Sequence, residues 1–345
     1  MIRLVERFLL AGGVALFVVL VYRLGGEAVL ANLDVVGWGI VLIVLQEILA
    51  LLANTAGWRA AFPSPRPPLT FPRLMLTRLA GDAVNYLTPT ATLGGEFVRT
   101  QMLRGYAPTT SVIASITVAK FAQTAGLFAF LLFGVVVIVD HSRLPVALRW
   151  GLPLGLAILA VGLASLLVLQ RRGFFGTILR WIEGWPLVRH LTHRLRPVVD
   201  QLDREIAGTT RGGVTLSAAA FACGWALGTV ESWLVLYFLD LPVTLERALT
   251  IEILGVAFNN LLFFVPLRAG TQEAGKVLAF TLVGLSPVQG LAAGILYRIR
   301  ELFWASVGLV IFYLQRTRTA ARTVAPAGSV AGSDNVPTPS RQRSQ

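Results

Sequence analysis

Two stretches of this chain place a proline, glycine and a glutamate at matching spacing inside apolar sequence. The first runs Asn85-Tyr-Leu-Thr-Pro89 to Gly94-Gly95-Glu96, the second Asn260-Leu-Leu-Phe-Phe-Val-Pro266 to Gly270-Thr-Gln-Glu273, and in both the glutamate stands seven residues after the proline. Each proline removes a backbone donor and disfavours helix at the residue before it, while Gly94, Gly95 and Gly270 permit the conformations of a tight return. Lipid offers no hydrogen-bond partner, so a broken helix at membrane depth persists only where protein encloses it or where it lines a polar cavity. Two interrupted segments in corresponding halves therefore point to a transport or binding site between two repeats. A helix restarting near Gly95 directs free N–H groups and a positive dipole end at the turn, a seat for an anion such as a lipid phosphate. The plainer reading is a helix N-terminus stabilised by its own first-turn acid, Glu96 or Glu273. For the glutamates alone the two readings weigh the same.

More charge lies in the spans around these breaks. Lys120 and Gln123 follow the first, and Arg298, Arg300 and Glu301 follow the second. The three-residue offset from Lys120 to Gln123 and from Arg298 to Glu301 puts each pair on one helix face. Glu47 and Glu231 interrupt one further span in each half. A charge at a helix centre costs about 2.5–3.5 kcal/mol on insertion scales, so this many require partners or water. Ion pairs that hold the repeats together account for any one residue; a polar cavity accounts better for the whole set.

The elements that must carry these residues follow from composition. Apolar residues make up 55% of the 345 positions, charged residues 14%, and mean hydropathy is +0.70, which excludes a soluble domain with a polar surface. With one cysteine, Cys223, in an apolar run, neither a disulfide framework nor a Cys-based metal site is open to the chain. His141, His190 and His193 all fall between hydrophobic runs, which argues against a His-ligated metal or a His base at membrane depth. No cofactor or metal is expected. The formal charge of +12 invites a nucleic-acid partner, but the arginines cluster in loops beside hydrophobic spans, so nucleic acid is not expected.

A span needs about 20 mainly apolar residues. Six runs qualify: 7–23, 36–57, 109–139, 147–169, 213–239 and 287–314. The first has a basic start and Val29-Leu-Ala31 as a candidate cleavage site, but removing it as a signal peptide would unbalance the pairing of halves. The stretches 59–73, 171–211 and 316–322 hold fourteen arginines, against Arg23, Arg143 and Arg149 on the other side, which predicts cytoplasmic termini. The first broken segment, 74–106, then dips in from the cytoplasmic face and the second, 244–285, from the outer face. Residues 74–87 make a helix of about 21 Å, short of a hydrocarbon core of about 30 Å, so the chain must turn. The expected fold is an all-α integral membrane bundle of two inverted repeats, with six full spans plus two re-entrant broken hairpins, or eight helices if hairpins count as spans. Repeat one covers 1–139, repeat two 147–315 and a cytoplasmic loop 171–212. Within that loop, 173–183 mixes Phe174, Phe175, Ile178 and Trp181 with arginine, suiting an amphipathic helix on an anionic leaflet. The tail, 316–345, has too few apolar residues to fold.

The runs Gly81 to Arg99, Phe264 to Gly275 and Arg298-Ile-Arg300-Glu301 resemble the flippase-like family that includes the membrane part of lysylphosphatidylglycerol synthases, with the nearest likeness to hopanoid-associated members. The likeness covers nearly all of 1–315; Pro266-Leu-Arg268-Ala-Gly270 departs from the more glycine-rich loop of the family. The resemblance implies a lipid-translocating domain in the bacterial inner membrane, with membrane lipids as partners. No aminoacyl-transfer domain follows residue 315 in this sequence, so synthase activity is not expected, and a separate lipid-modifying enzyme is a candidate partner. The expected substrate-binding set is Asn85, Pro89, Gly94, Gly95, Glu96, Arg99, Lys120, Asn260, Pro266, Arg268, Gly270, Glu273, Arg298, Arg300 and Glu301. Arg268, Lys120 and Arg298 are the candidates for an anionic headgroup, with Glu96 and Glu273 as proton carriers or counter-charges; no catalytic residue is expected. Two other readings stay open: a membrane-embedded transferase on an isoprenoid or glycosyl lipid, for which no Asp-x-Asp or His cluster is present, and an ion-coupled small-solute transporter.

Overall fold

The structure, a computed structural model, describes residues 15, 18–87, 93–141, 146–171, 173–183, 189–262, 265 and 268–324. Pro89 and Pro266 lie outside the described residues. Among the described residues there are thirteen α-helices and no β-strand. They are α1 Gly26–Val36, α2 Gly39–Leu45, α3 Glu47–Ala60, α4 Phe71–Leu87, α5 Leu93–Met102, α6 Thr109–His141 and α7 Val146–Arg171, then α8 Phe174–Glu183, α9 Arg189–Ala207, α10 Arg211–Phe238, α11 Leu245–Leu261, α12 Thr271–Leu282 and α13 Pro287–Val324.

Three stretches are long and apolar enough to cross a membrane among the described residues: Gly39–Ala60, Thr109–Ile138 and Arg211–Phe238. The molecule is an all-α membrane bundle. In α7 the apolar stretch Arg149–Ser165 is shorter, and in α13 the charges Arg298, Arg300 and Glu301 interrupt an otherwise apolar helix. The expected run 7–23 lies largely outside the described residues. The run expected over 36–57 stands as one span-length stretch, Gly39–Ala60, whose start is set by Gly37, which adopts a positive φ of 49° and ends α1. Past the expected tail boundary, α13 continues to Val324.

The core forms where the two halves interlock. Trp58 of α3, Val118 of α6 and Phe221 of α10 share one buried cluster, and Leu236, Ile251, Phe280 and Leu296 from α10 to α13 share another. α10 packs on α3 and α6, α13 on α4 and α12, α4 on α5, and α11 on α12. Small residues set the closest approaches, as expected where helices pack by van der Waals contact rather than by expelling water. Gly126 of α6 meets the backbone of Ala218 and Ala222, and Gly308 of α13 meets Leu79 O and the Ala83 methyl.

Contacts along α13 order the two hairpins. Gly290 lies on Val277, Gly294 on Glu273, Arg298 on Tyr86 and Gly308 on Leu79. Thus α12 covers the first part of α13 and α4 a later part, each antiparallel to it, and their broken ends meet at Arg298. At the other end of α4, the linker 61–70 joins the basic α9: Ser64 N–H donates to Gly208 O at 3.2 Å. Ser111 Oγ of α6 donates to Glu205 at 3.1 Å, so the linker, α9 and the start of α6 share one face.

On that face, α8 forms a helix over the residues read as amphipathic in the sequence. Asp203 of α9 accepts from the N–H groups of Phe175 at 3.0 Å and Gly176 at 2.8 Å, capping the start of α8. Phe174 stacks edge-on against Phe121 and Leu179 is buried, so part of the apolar side rests on protein, while Trp181 is 81% exposed.

In the first hairpin, α4 and α5 are pressed together at glycine. A methyl group on Gly95 would overlap Gly81 O and the Asn85 amide. Gly95→Ala is therefore expected to lower stability by about 1–3 kcal/mol, the usual cost of overpacking, read as a lower thermal midpoint in detergent; an unchanged midpoint would show that the hairpin tolerates separation.

Candidate functional site

The broken ends converge on one guanidinium. Arg298, the twelfth residue of α13, sits about 16 Å along its helix at 1.5 Å per residue. Its Nε donates to Glu273 Oε1 at 2.9 Å and its Nη2 to Glu273 Oε2 at 3.1 Å, a bidentate charge-assisted pair. Nη1 donates to the Tyr86 hydroxyl at 2.8 Å, and Nη2 to Arg268 O at 3.0 Å. One side chain thus holds the last turn of α4, the first turn of α12 and the turn before α12. Arg268 adopts a left-handed φ of 49°, which costs a non-glycine residue about 1–2 kcal/mol. The same carbonyl accepts a second bond, from Thr271 Oγ1 at 3.1 Å, and Gly270 next to it takes the left-handed N-cap position of α12. The Arg268 side chain remains 48% exposed and lies 3.4 Å from Glu301.

The first half repeats the device. Glu96, in the first turn of α5, pairs at 2.9 Å with Lys120, and Lys120 is also the twelfth residue of its helix, α6. Glu96 pairs as well with Arg99 at 3.1 Å, Arg99 with Asp82 at 2.5 Å, and Asp82 with Arg78 at 3.4 Å. Arg99 and Arg78 lie over the rings of Trp58 and Phe221, both at 5.5 Å. Asn85 Oδ1 accepts from Gly95 N–H at 2.6 Å. That donor, which the sequence suggested as part of an anion seat, is taken by the hairpin's own asparagine. Lys120 keeps 40% of its side chain exposed and is the twelfth residue of the span-length stretch Thr109–Ile138, where an unpartnered ammonium would be costly.

Between the two devices, Arg300 bridges Glu47 of α3 and Glu231 of α10, the latter at 2.8 Å. Trp304 Nε1 donates to Val44 O at 2.9 Å, fixing α13 to α2. A cavity of about 150 Å³ opens beside this bridge, lined by Glu47, Asp82, Tyr86, Arg300 and Glu301 together with apolar residues of α3, α4 and α13. It therefore touches the ion pairs of both halves. Among the described residues no three His, Cys, Asp or Glu side chains are arranged to hold a metal ion.

A fourth cluster was not singled out by sequence. Glu252 of α11 accepts from Ser232 of α10 at 2.9 Å and from the Tyr297 hydroxyl of α13 at 3.3 Å, and lies 3.4 Å from Lys276 of α12. Lys276 also sits over the Tyr297 ring at 3.7 Å. Four helices of the second half meet at this buried carboxylate. One signal was available: Lys276 follows Glu273 by three residues as Arg99 follows Glu96. Arg78 and Tyr86 had no such internal parallel. Of the expected site residues, Asn85, Gly94, Gly95, Glu96, Arg99 and Lys120 gather at the first hairpin, and Arg268, Gly270, Glu273, Arg298 and Glu301 at the second, with Arg300 between them. Asn260 stays apart, its Nδ2 donating to Val256 O of its own helix at 2.8 Å.

The family model described as the lysylphosphatidylglycerol synthase TM region matches residues 7–308, a range that includes both hairpins and all four clusters. The chain belongs to this family. No curated protein and no solved structure matches it. Membership of the lysylphosphatidylglycerol synthase TM region family makes the chain a multi-pass membrane protein of lipid metabolism or translocation.

Removing one member of a buried ion cluster leaves the others uncompensated. Arg300→Ala strands Glu47 and Glu231 together and is expected to cost about 3–5 kcal/mol, seen as a large drop in thermal midpoint. Glu47→Gln and Glu231→Gln in the same chain are expected to restore most of it; no recovery would mean that Arg300 acts by packing alone.

Proposed function

We propose that this chain moves lipid between leaflets: a headgroup enters the polar space between the two hairpins while its acyl chains stay in the bilayer. The observation that carries the reading is the meeting of both helix breaks at Arg298, with one half-exposed cation in each half, Lys120 and Arg268. The antiparallel cover of α13 by α12 along its first part and by α4 along a later part supports two inverted repeats with re-entrant hairpins entering from opposite faces. The shared position of the linker and α9, both arginine-bearing, supports a cytoplasmic assignment for that face and for both termini in a bacterial inner membrane. The substrate class that suits paired cations and acids is an anionic or amino-modified phospholipid; the likeness to hopanoid-associated members extends this to hopanoid-type lipids. In this reading the chain is not itself an enzyme, and a separate lipid-modifying enzyme supplies what it moves.

Within the site the bases divide by mobility. Arg298 is committed on every side to Glu273, Tyr86 and Arg268 O, so it serves as the pivot, whereas Lys120 and Arg268 are the groups able to leave a carboxylate for a phosphate. In liposomes carrying fluorescent acyl-labelled phospholipids, the reconstituted wild type is expected to equilibrate label between leaflets, and Lys120→Ala with Arg268→Ala to slow it at least tenfold without lowering the thermal midpoint. An unchanged rate would remove both cations from the mechanism.

A further inference from the structure

We infer that an anionic headgroup crosses together with one proton, so that each transfer is electroneutral; this rests on the lipid-translocation reading. The motivating feature is a balance of charge. The ion pairs within the bundle, among the described residues, join seven basic and seven acidic side chains, all named above, and sum to zero. Counted in formal charge, the empty site is therefore neutral as a whole, each charge having a partner within the set.

Access is unequal within this set. Arg78, Arg99, Lys276, Arg298 and Arg300 each expose less than a fifth of the side chain, while Lys120 and Arg268 expose 40% and 48%. Each of these two also has a single carboxylate partner among the described ion pairs, Glu96 for Lys120 and Glu301 for Arg268. A phosphate that engages Lys120 or Arg268 must compete with that carboxylate and brings one negative charge into a set that has none to spare. In a medium of low dielectric an unbalanced charge of this kind is strongly disfavoured. Protonation of the displaced carboxylate restores neutrality without any other ion.

The neighbours of each carboxylate bear this out. Glu96 faces Arg99 on its own helix, Lys120 on α6, and the Arg78–Asp82 pair on α4, so once Lys120 turns to phosphate the remaining bases are shared with Asp82. Glu301 faces Arg268 and, on its own helix, Arg298 at 4.0 Å, and lines the same cavity as Tyr86, Glu47 and the adjacent Arg300. Arg298 and Arg300 are already engaged by Glu273, Glu47 and Glu231. The cycle balances: a carboxylate takes a proton from the aqueous phase on the loading side as its base binds phosphate, and loses it on the far side when the base returns.

The test uses the full chain in liposomes with acyl-labelled phosphatidylglycerol in one arm, acyl-labelled phosphatidylethanolamine in another, and an entrapped pH dye in both. With phosphatidylglycerol, one proton is expected to move per lipid, an imposed membrane potential to leave the distribution unchanged, and a gradient of one pH unit to bias it tenfold. Phosphatidylethanolamine, already neutral, is expected to move without protons. Glu96→Gln with Glu301→Gln, checked for an unchanged thermal midpoint, is expected to make phosphatidylglycerol follow the potential and ignore the pH gradient. If wild-type phosphatidylglycerol follows the potential with no proton movement, or if phosphatidylethanolamine carries protons as well, this inference falls and lipid translocation stands. If neither lipid moves, the proposed function falls first.

Discussion

A charge inside a lipid bilayer has to find an opposite charge or water, and in this bundle that requirement dictates how the helices meet. Arg298 and Arg300 stand two residues apart on α13, and between them they reach the α4 tip, the turn before α12, the start of α12, α3 and α10. The apolar core contributes bulk contact, but most apolar side chains are equally at home against acyl chains, so apolar burial alone specifies little about which helix lies beside which. The ion pairs are directional and depend on distance. They select one arrangement from the many that lipid would allow.

The same local device serves each half. A glutamate in the first turn of a restarted helix meets a base twelve residues into the following span, as Glu96 with Lys120 and as Glu273 with Arg298. The halves then diverge in how tightly the base is held. Arg298 has a bidentate carboxylate, a tyrosine hydroxyl and a carbonyl; Lys120, with three donors on one nitrogen and a flexible stem, stays half exposed. The half-exposed cation of the second half is Arg268, on the turn itself, held in a left-handed conformation by bonds to its carbonyl. The two halves thus combine one fully bonded guanidinium, Arg298, with two half-exposed cations, Lys120 and Arg268.

The Glu252 cluster shows the opposite use of charge. Lys276, Ser232 and Tyr297 enclose the carboxylate from three helices, and all four side chains are buried. It ties α10, α11, α12 and α13 together at one buried carboxylate.

Much of this was legible from residue types and spacing. Apolar runs of span length, the paired Pro-to-Glu breaks and the arginine-rich loops fixed the class, the all-helical content and the positions of α4, α5, α11 and α12, because hydrogen-bond satisfaction in lipid leaves few alternatives to helix. They also pointed to Glu96, Lys120, Glu273 and Arg298 as a set. What only the tertiary structure decided was partnership: that Arg298 bonds to Glu273, Tyr86 and the Arg268 carbonyl, that Arg300 divides itself between Glu47 and Glu231, that Asn85 fills the donor at Gly95, and that Glu252 with Lys276 forms a cluster of its own. Periodicity reports which face of a helix a residue occupies, but a pair such as Tyr86 and Arg298 is separated by 212 residues, and its meeting depends on how far α4 slides along α13 before Gly308 and Leu79 touch.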